Sequence, residues 1–194
     1  MIRTAGCLTV ASMLFLSAPA IAIEWPLSLA DAKQYGENTT TMAIIADAPY
    51  RLLSATDRSP SATIITPFKL AAFVFAKNKA TYADPTPRDL QEIKADVSLT
   101  VIARAFSTII RTNDDMVVVI KQSGKIIRSS SADRPDVSVT EYPEVGYDTT
   151  ISFKFPLAAL DLREPMKIVV ANAVVDGAIG KAEASWTVDP ATIR

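Results

Sequence analysis

Thr66 and Lys69 have the residue types of a hydroxyl nucleophile and an amine base. They stand three positions apart in Thr66-Pro67-Phe68-Lys69, and in a helix that spacing brings the two side chains to the same face. The same residues also fit an ordinary helix start, with Thr66 as the N-cap and Lys69 extending into solvent. We favour the helix start, so we expect no catalytic pair at this position.

Two groups of polar residues suggest other chemistry. Asn113, Asp114 and Asp115 could supply oxygen ligands to a hard cation such as calcium, but the spacing of a calcium-binding loop is absent around them. Glu141 and Glu144 lie in one predicted turn and could form the carboxylate pair of a glycosidase. A solvated turn is the simpler interpretation of both groups. We therefore predict neither a metal site nor catalytic residues here.

The composition excludes several classes of function. Histidine is absent from the 194 residues, and Cys7 is the single cysteine. The lack of His excludes His-based acid–base catalysis, His-dependent nucleophiles and most zinc sites. The glycines form no phosphate-binding loop. Lys and Arg total 20 against 21 Asp and Glu, so there is no basic excess for nucleic acid. We predict a non-enzymatic protein without a cofactor or a nucleic-acid partner.

Aromatic residues in segment 141–147 are the candidates for a contact surface. The segment places Tyr142, Glu144 and Tyr147 beside a Pro and a Gly, and tyrosines on a stiff loop offer a large contact area at low entropic cost. Trp25 is a further candidate, although it could instead anchor the amino terminus. The tyrosines could also fold back and close the end of a sandwich. Both interpretations of this segment stay open.

The first 22 residues have the pattern of a secretory signal peptide. Arg3 gives a basic start, residues 8–16 are apolar and uncharged, and a small-residue pattern ends at Ala22. The apolar run is shorter than the ~20 residues that a membrane span needs. We expect cleavage between Ala22 and Ile23, export to the periplasm or the medium, and no membrane span in the mature chain.

Residues 23–95 are predicted to be mainly helical. Ser28, Thr66 and Thr86 each precede residues typical of a helix start. The segment Gly36-Glu37-Asn38 is expected to end the first helix after Tyr35. Residues 70–76 are apolar on every side, which indicates a buried helix.

From residue 96 the hydrophobic period changes to two. Alternation from Val97 to Ala103 predicts a half-buried strand, and the continuous apolar run 116–120 predicts a strand covered on both faces. Asp176-Gly177 predicts a hairpin turn between segments 169–175 and 178–188. Trp186 falls on the inward row of the last segment, so we expect it to be buried.

The predicted architecture is therefore α+β. About seven short strands in residues 96–194 favour an antiparallel, immunoglobulin-like β-sandwich. The amino-terminal helices would pack on this sandwich.

Two hypotheses of function follow from this architecture. The leading hypothesis is an exported binding or structural protein that contacts another protein or a cell-surface component. The alternative is a carrier of a small apolar ligand, with a pocket between the helix at 67–79 and the sheet. A deep apolar cavity would favour the carrier, whereas an exposed aromatic loop or a bare strand edge would favour the contact protein.

Overall fold

The computed structural model describes residues 28–46, 51–52, 60–95, 97–110, 113–141, 145–174 and 181–193. The helices in these ranges are α1 (Leu29–Glu37), α2 (Thr41–Ala46), α3 (Pro67–Ala80) and α4 (Pro87–Ala95). The strands are β1 (Arg51–Leu52), β2 (Ser61–Ile65), β3 (Ser98–Ser107), β4 (Val117–Gln122), β5 (Lys125–Arg128), β6 (Ser131–Ala132), β7 (Asp136–Thr140), β8 (Gly146–Pro156), β9 (Met166–Val174) and β10 (Lys181–Val188). They form two antiparallel sheets of six and four strands, so the fold is α+β and sandwich-like.

The three predicted helix starts are confirmed. Ser28, Thr66 and Thr86 each accept a hydrogen bond from the backbone amide three residues further on, at 3.2, 3.1 and 3.2 Å. At α4 the bond is reciprocal, because the backbone amide of Thr86 donates to the Asp89 carboxylate at 2.8 Å. Each cap supplies a partner for a backbone amide that has none within its helix.

Gly36 has a packing role that the sequence did not predict. The first helix ends within the predicted stop Gly36-Glu37-Asn38, because Glu37 is its last residue and Asn38 is its C-cap. A Cβ atom added at Gly36 would overlap the backbone carbonyl oxygen of Ala72 in α3. The missing side chain therefore allows α1 and α3 to pack closely.

The six-stranded sheet has the order β1-β2-β3-β8-β6, and β7 also pairs with β8. Because β2 pairs with β3, a strand from the predicted helical region belongs to the same sheet as later strands. The predicted alternation is confirmed in β3, where Leu99, Val101 and Ala103 are buried. The residues between them face away from the core of the sandwich. Val97, which was expected on the same face as the buried residues, precedes the strand and is 66% exposed.

The four-stranded sheet has the order β10-β9-β4-β5. β9 and β10 pair in the predicted antiparallel manner, with Ile168 opposite Trp186, while the turn at Asp176-Gly177 lies outside the described residues. Trp186 packs against the core but is half-buried, so the expectation of full burial is too strong.

Strand β4 is covered on one face, not on both as predicted. Val118 and Ile120 lie in the shared core, whereas Val117 is 40% exposed. The continuous apolar run wrongly predicted burial on both faces, because Val favours strands and also occurs on their exposed faces.

The two sheets enclose one apolar core. Their inward residues include Ile64, Phe153 and Phe155 from the six-stranded sheet, and Ile120, Ile168 and Val170 from the four-stranded sheet. The helices pack around α3 beside the six-stranded sheet, through the buried residues Ala32, Ile44, Ala71, Ala72, Ala76 and Ile93. Within the described ranges, no helix is long and apolar enough to span a membrane.

Candidate functional site

A cavity of about 390 Å³ lies between the helices and the outer face of the six-stranded sheet. Helices α2 and α3 form one wall, and strands β2, β3 and β8 form the other. The cavity is thus outside the sandwich core, on the face that the sheet turns toward α3. Its position matches the pocket that the carrier hypothesis expects.

Two cross-strand rows form the sheet wall of the cavity. The first row is Thr63, Ile102 and Ser152, and the second is Ile65, Thr100 and Lys154. Successive side chains of a strand point to opposite faces. The residues of these two rows therefore face the cavity, and their neighbours along each strand face the sandwich core. The rows combine branched apolar side chains with small hydroxyl groups.

One face of α3 forms the helical wall. Thr66, Lys69, Leu70 and Phe73 line the cavity, and their spacing of three and four residues places them along one side of a helix. On other sides of α3, small residues pack against the neighbouring helices, among them Ala71, Ala72 and Ala76. Phe68 of α3 also faces a neighbouring helix, where its ring contacts Tyr35 of α1.

Lys69 belongs to this wall, although the sequence predicted that its side chain is exposed to solvent. The expectation that it extends into solvent is wrong, because the residue is 2% exposed and lines the cavity. The face of α3 that carries Lys69 turns toward the sheet, and a single helix sequence does not reveal that orientation. The hydroxyl of Thr66 accepts the 3.1 Å hydrogen bond from the Lys69 backbone amide, so its predicted capping role is confirmed.

Three charged residues line the cavity in the part of the chain that the structure describes. Lys69 lies on the helical wall, Lys154 is half-buried on the sheet wall, and Asp133 is exposed. The backbone amide of Asp133 donates a 2.9 Å hydrogen bond to the carbonyl oxygen of Ser152, which holds Asp133 beside β8. Two of these residues are basic and one is acidic.

The candidate calcium ligands point in different directions. Asn113 is fully buried in the turn before β4, while Asp114 and Asp115 are exposed. The Asn172 side chain donates a 3.4 Å hydrogen bond to the backbone carbonyl of Asp115. Throughout the described residues, no group of three or more His, Cys, Asp or Glu side chains is arranged to hold a metal ion.

The predicted contact segment is partly described. Tyr142, Glu144 and Trp25 lie outside the described residues, as do both residues of the expected cleavage site. Tyr147 is half-buried in β8, opposite Ser107 of β3. It therefore belongs to a strand, and its role in binding stays a prediction. Glu141 is exposed directly after β7.

An ion pair between the exposed Arg104 and the buried Asp148 lies on the same outer face of the six-stranded sheet. Arg104 donates two hydrogen bonds to the Asp148 carboxylate, at 2.9 and 2.6 Å, and Thr140 donates a third at 2.6 Å. Burial raises the pKa of Asp148, but the hydrogen bonds from Arg104 and Thr140 outweigh it and hold the pKa below its ordinary value. The two charged residues are 44 positions apart, so sequence reasoning missed the pair.

Comparison with models of known protein families finds no match for the chain, and a search of curated proteins also finds none. The cavity and its lining are therefore the basis for a proposal of function.

Proposed function

We propose that this is a non-enzymatic carrier that binds a small, mainly apolar molecule in the cavity between α3 and the six-stranded sheet. The observation that carries the proposal is the cavity of about 390 Å³. Small-molecule sites commonly enclose about 300–1,000 Å³ and are lined by apolar groups with a few polar ones. This cavity has both properties.

The lining indicates how such a molecule would be held. Ile65, Leu70, Phe73 and Ile102 present apolar surface from both walls, and burying apolar surface against them contributes about 25 cal/mol per Å². The hydroxyl groups in the two cross-strand rows can orient a polar part of the ligand. No step of bond making or breaking is needed in this role.

Two parts of the proposal rest on the sequence. We propose that residues 1–22 direct export to the periplasm or the medium, where the carrier would act. We also propose that the sandwich is immunoglobulin-like. Amino-terminal sequencing of exported protein should begin at Ile23, and a chain that begins at Met1 would contradict the export proposal.

Contact with a protein or cell-surface component is the second candidate function. Val139 and Val145 are 62% and 64% exposed on either side of the gap in the described chain at 142–144. Exposed apolar residues next to predicted tyrosine contacts favour a binding surface. A pull-down with the double variant Tyr142→Ala and Tyr147→Ala should capture less partner than the unchanged protein, at equal stability.

The carrier proposal is tested by filling the cavity. Ser152 is half-buried on its sheet wall, so Ser152→Phe would occupy space that a ligand needs. Ser185 is exposed on β10 of the other sheet, and Ser185→Phe is the matched control. The probe is N-phenylnaphthylamine, a neutral apolar fluorophore whose emission rises on transfer out of water.

Unchanged protein should bind the probe, and Ser152→Phe should weaken binding at least tenfold, or about 1.4 kcal/mol. The control should bind like the unchanged protein. Failure of the unchanged protein to bind, or equal affinity in all three proteins, would overturn the carrier proposal.

A further inference from the structure

We infer that the outer face of the four-stranded sheet docks the protein onto a membrane surface that is rich in anionic phospholipid. The contact centres on a cleft beside the turn between β4 and β5, which we call the basic cleft because Lys121, Lys125 and Lys167 line it. The basic cleft lies on the opposite side of the sandwich from the cavity. Docking therefore adds a second binding role to the proposed carrier function and does not depend on it.

The basic cleft has a volume of about 430 Å³. Its three lysines are exposed, and none of them forms a salt bridge with a carboxylate in the described ranges. The described part of the lining contains no acidic residue, while Ser123 and Thr187 contribute hydroxyl groups. An anion in the cleft would thus be surrounded by ammonium and hydroxyl donors.

Two of the lysines form an unfavourable pair in the unoccupied protein. Lys121 of β4 and Lys167 of β9 are directly opposite each other in the register of the two strands. Like charges in such a cross-strand pair repel and destabilise the sheet. A phosphate group between the two ammonium groups would remove this repulsion, because it carries negative charge and accepts hydrogen bonds from lysine.

A further basic residue extends this surface beyond the cleft. Arg128 of β5 lies opposite Val119 of β4. The two strand neighbours of Val119 face the core, so Val119 and Arg128 occupy outward positions. Arg128 is exposed, and the outer face thus presents an arginine next to the lysines of the basic cleft.

The acidic residues near the basic cleft lie at its margins. Asp161 and Glu164 belong to the loop before β9, and Asp189 follows β10. Each of these carboxylates accepts a hydrogen bond from a hydroxyl or a backbone amide. Glu183 and Thr187 are four residues apart on β10, or about 13 Å along the strand. That distance exceeds the screening length of about 8 Å at physiological ionic strength, so the lysines dominate the charge of the cleft.

Ile126 favours a bilayer over a soluble polyanion. Its side chain is 60% exposed, lies opposite Lys121 in register and belongs to the lining of the basic cleft. An exposed aliphatic side chain gains free energy by entering the boundary between head groups and acyl chains. A polysaccharide or a nucleic acid would engage the charges alone. The combination of lysines with Ile126 therefore matches an anionic membrane surface.

The test measures cosedimentation of the purified protein with lipid vesicles. Vesicles of phosphatidylglycerol and phosphatidylcholine in equal parts should bind the protein, and vesicles of phosphatidylcholine alone should not. Binding should weaken as salt is added, because salt screens exposed charges. Heparin is the soluble polyanion used for comparison.

The double variant Lys121→Gln and Lys167→Gln tests the lysines. Binding to the mixed vesicles should fall at least tenfold, because each lysine near an anionic surface contributes about fivefold. The melting temperature should stay the same or rise, since the repulsion within the pair is lost. Lys77→Gln with Lys94→Gln, which removes two exposed lysines of α3 and α4, is the matched control and should bind like the unchanged protein.

Two single variants complete the test. Lys125→Gln should weaken binding to the mixed vesicles about fivefold. Ile126→Ser should weaken it at least threefold and leave heparin binding unchanged. All variants should bind N-phenylnaphthylamine like the unchanged protein in the absence of vesicles, so failure of membrane docking is distinguishable from failure of the carrier proposal.

Three results would overturn the inference. The first is equal binding to the two kinds of vesicle, and the second is unchanged binding by the folded double lysine variant. The third is binding to heparin without binding to the mixed vesicles, or unchanged vesicle binding by Ile126→Ser, because either outcome would indicate a soluble polyanion.

Discussion

The hydroxyl of Thr66 accepts a 3.1 Å hydrogen bond from the backbone amide of Lys69, while the Lys69 side chain lines the cavity. One turn of α3 therefore combines the cap that starts the helix with a side chain that lines the cavity. The spacing of threonine and lysine that suggested a catalytic pair is explained by these two separate roles.

Loss of this cap should weaken the fold. Thr66→Ala removes the acceptor for the Lys69 amide and should lower the free energy of unfolding by about 1 kcal/mol. Thr66→Ser keeps the hydroxyl and serves as the control, with stability close to that of the unchanged protein. Urea denaturation measures both. Equal stability of the Ala and Ser variants would show that the cap contributes nothing.

Gly36→Ala should destabilise the protein although alanine favours helices. A Cβ atom at this position would overlap the carbonyl oxygen of Ala72, and overpacking of this kind costs about 1–3 kcal/mol. Gln34 is exposed on the same helix, and Gln34→Ala should change stability by less than about 0.5 kcal/mol. A Gly36→Ala protein that melts at or above the normal temperature would refute the close contact.

The ion pair between Arg104 and Asp148 should make stability depend on acid pH. The pKa of Asp148 lies below its ordinary value of 3.8, so its ionised form stabilises the folded state above that pH. This stabilisation is lost as the pH falls through the lower pKa of the folded protein.

Asp148→Asn removes this titration and tests the expected direction. The stability difference between Asp148→Asn and the unchanged protein should be largest near neutral pH and should shrink below about pH 3.8. Asp136→Asn, at an exposed position of β7, is the control. Urea denaturation across this range measures the difference, and a difference independent of pH would contradict the role of Asp148.

Local signals in the sequence predicted much of the fold. The reciprocal bonds between Thr86 and Asp89 involve residues three positions apart, so the start of α4 was visible in the sequence. The alternation in β3 was equally local. Pairing of β9 with β10 followed from two apolar segments around a turn signal.

Other features depend on contacts between distant parts of the chain. Arg104 meets Asp148 only because β3 and β8 pair in a particular register. The burial of Lys69 depends on which face of α3 turns toward the sheet. The sequence suggested a pocket between this helix and the sheet. Which basic and acidic residues line that pocket could be identified only from the tertiary structure.

The most direct test of the carrier proposal is to locate a bound apolar molecule. Crystals of the protein grown with bromine-labelled dodecanol would show the ligand by the anomalous scattering of bromine. We expect a bromine peak in the cavity between Phe73 and Ile102, and no such peak with Ser152→Phe. A peak elsewhere on the molecule, or an unliganded cavity at saturating ligand, would contradict the proposal.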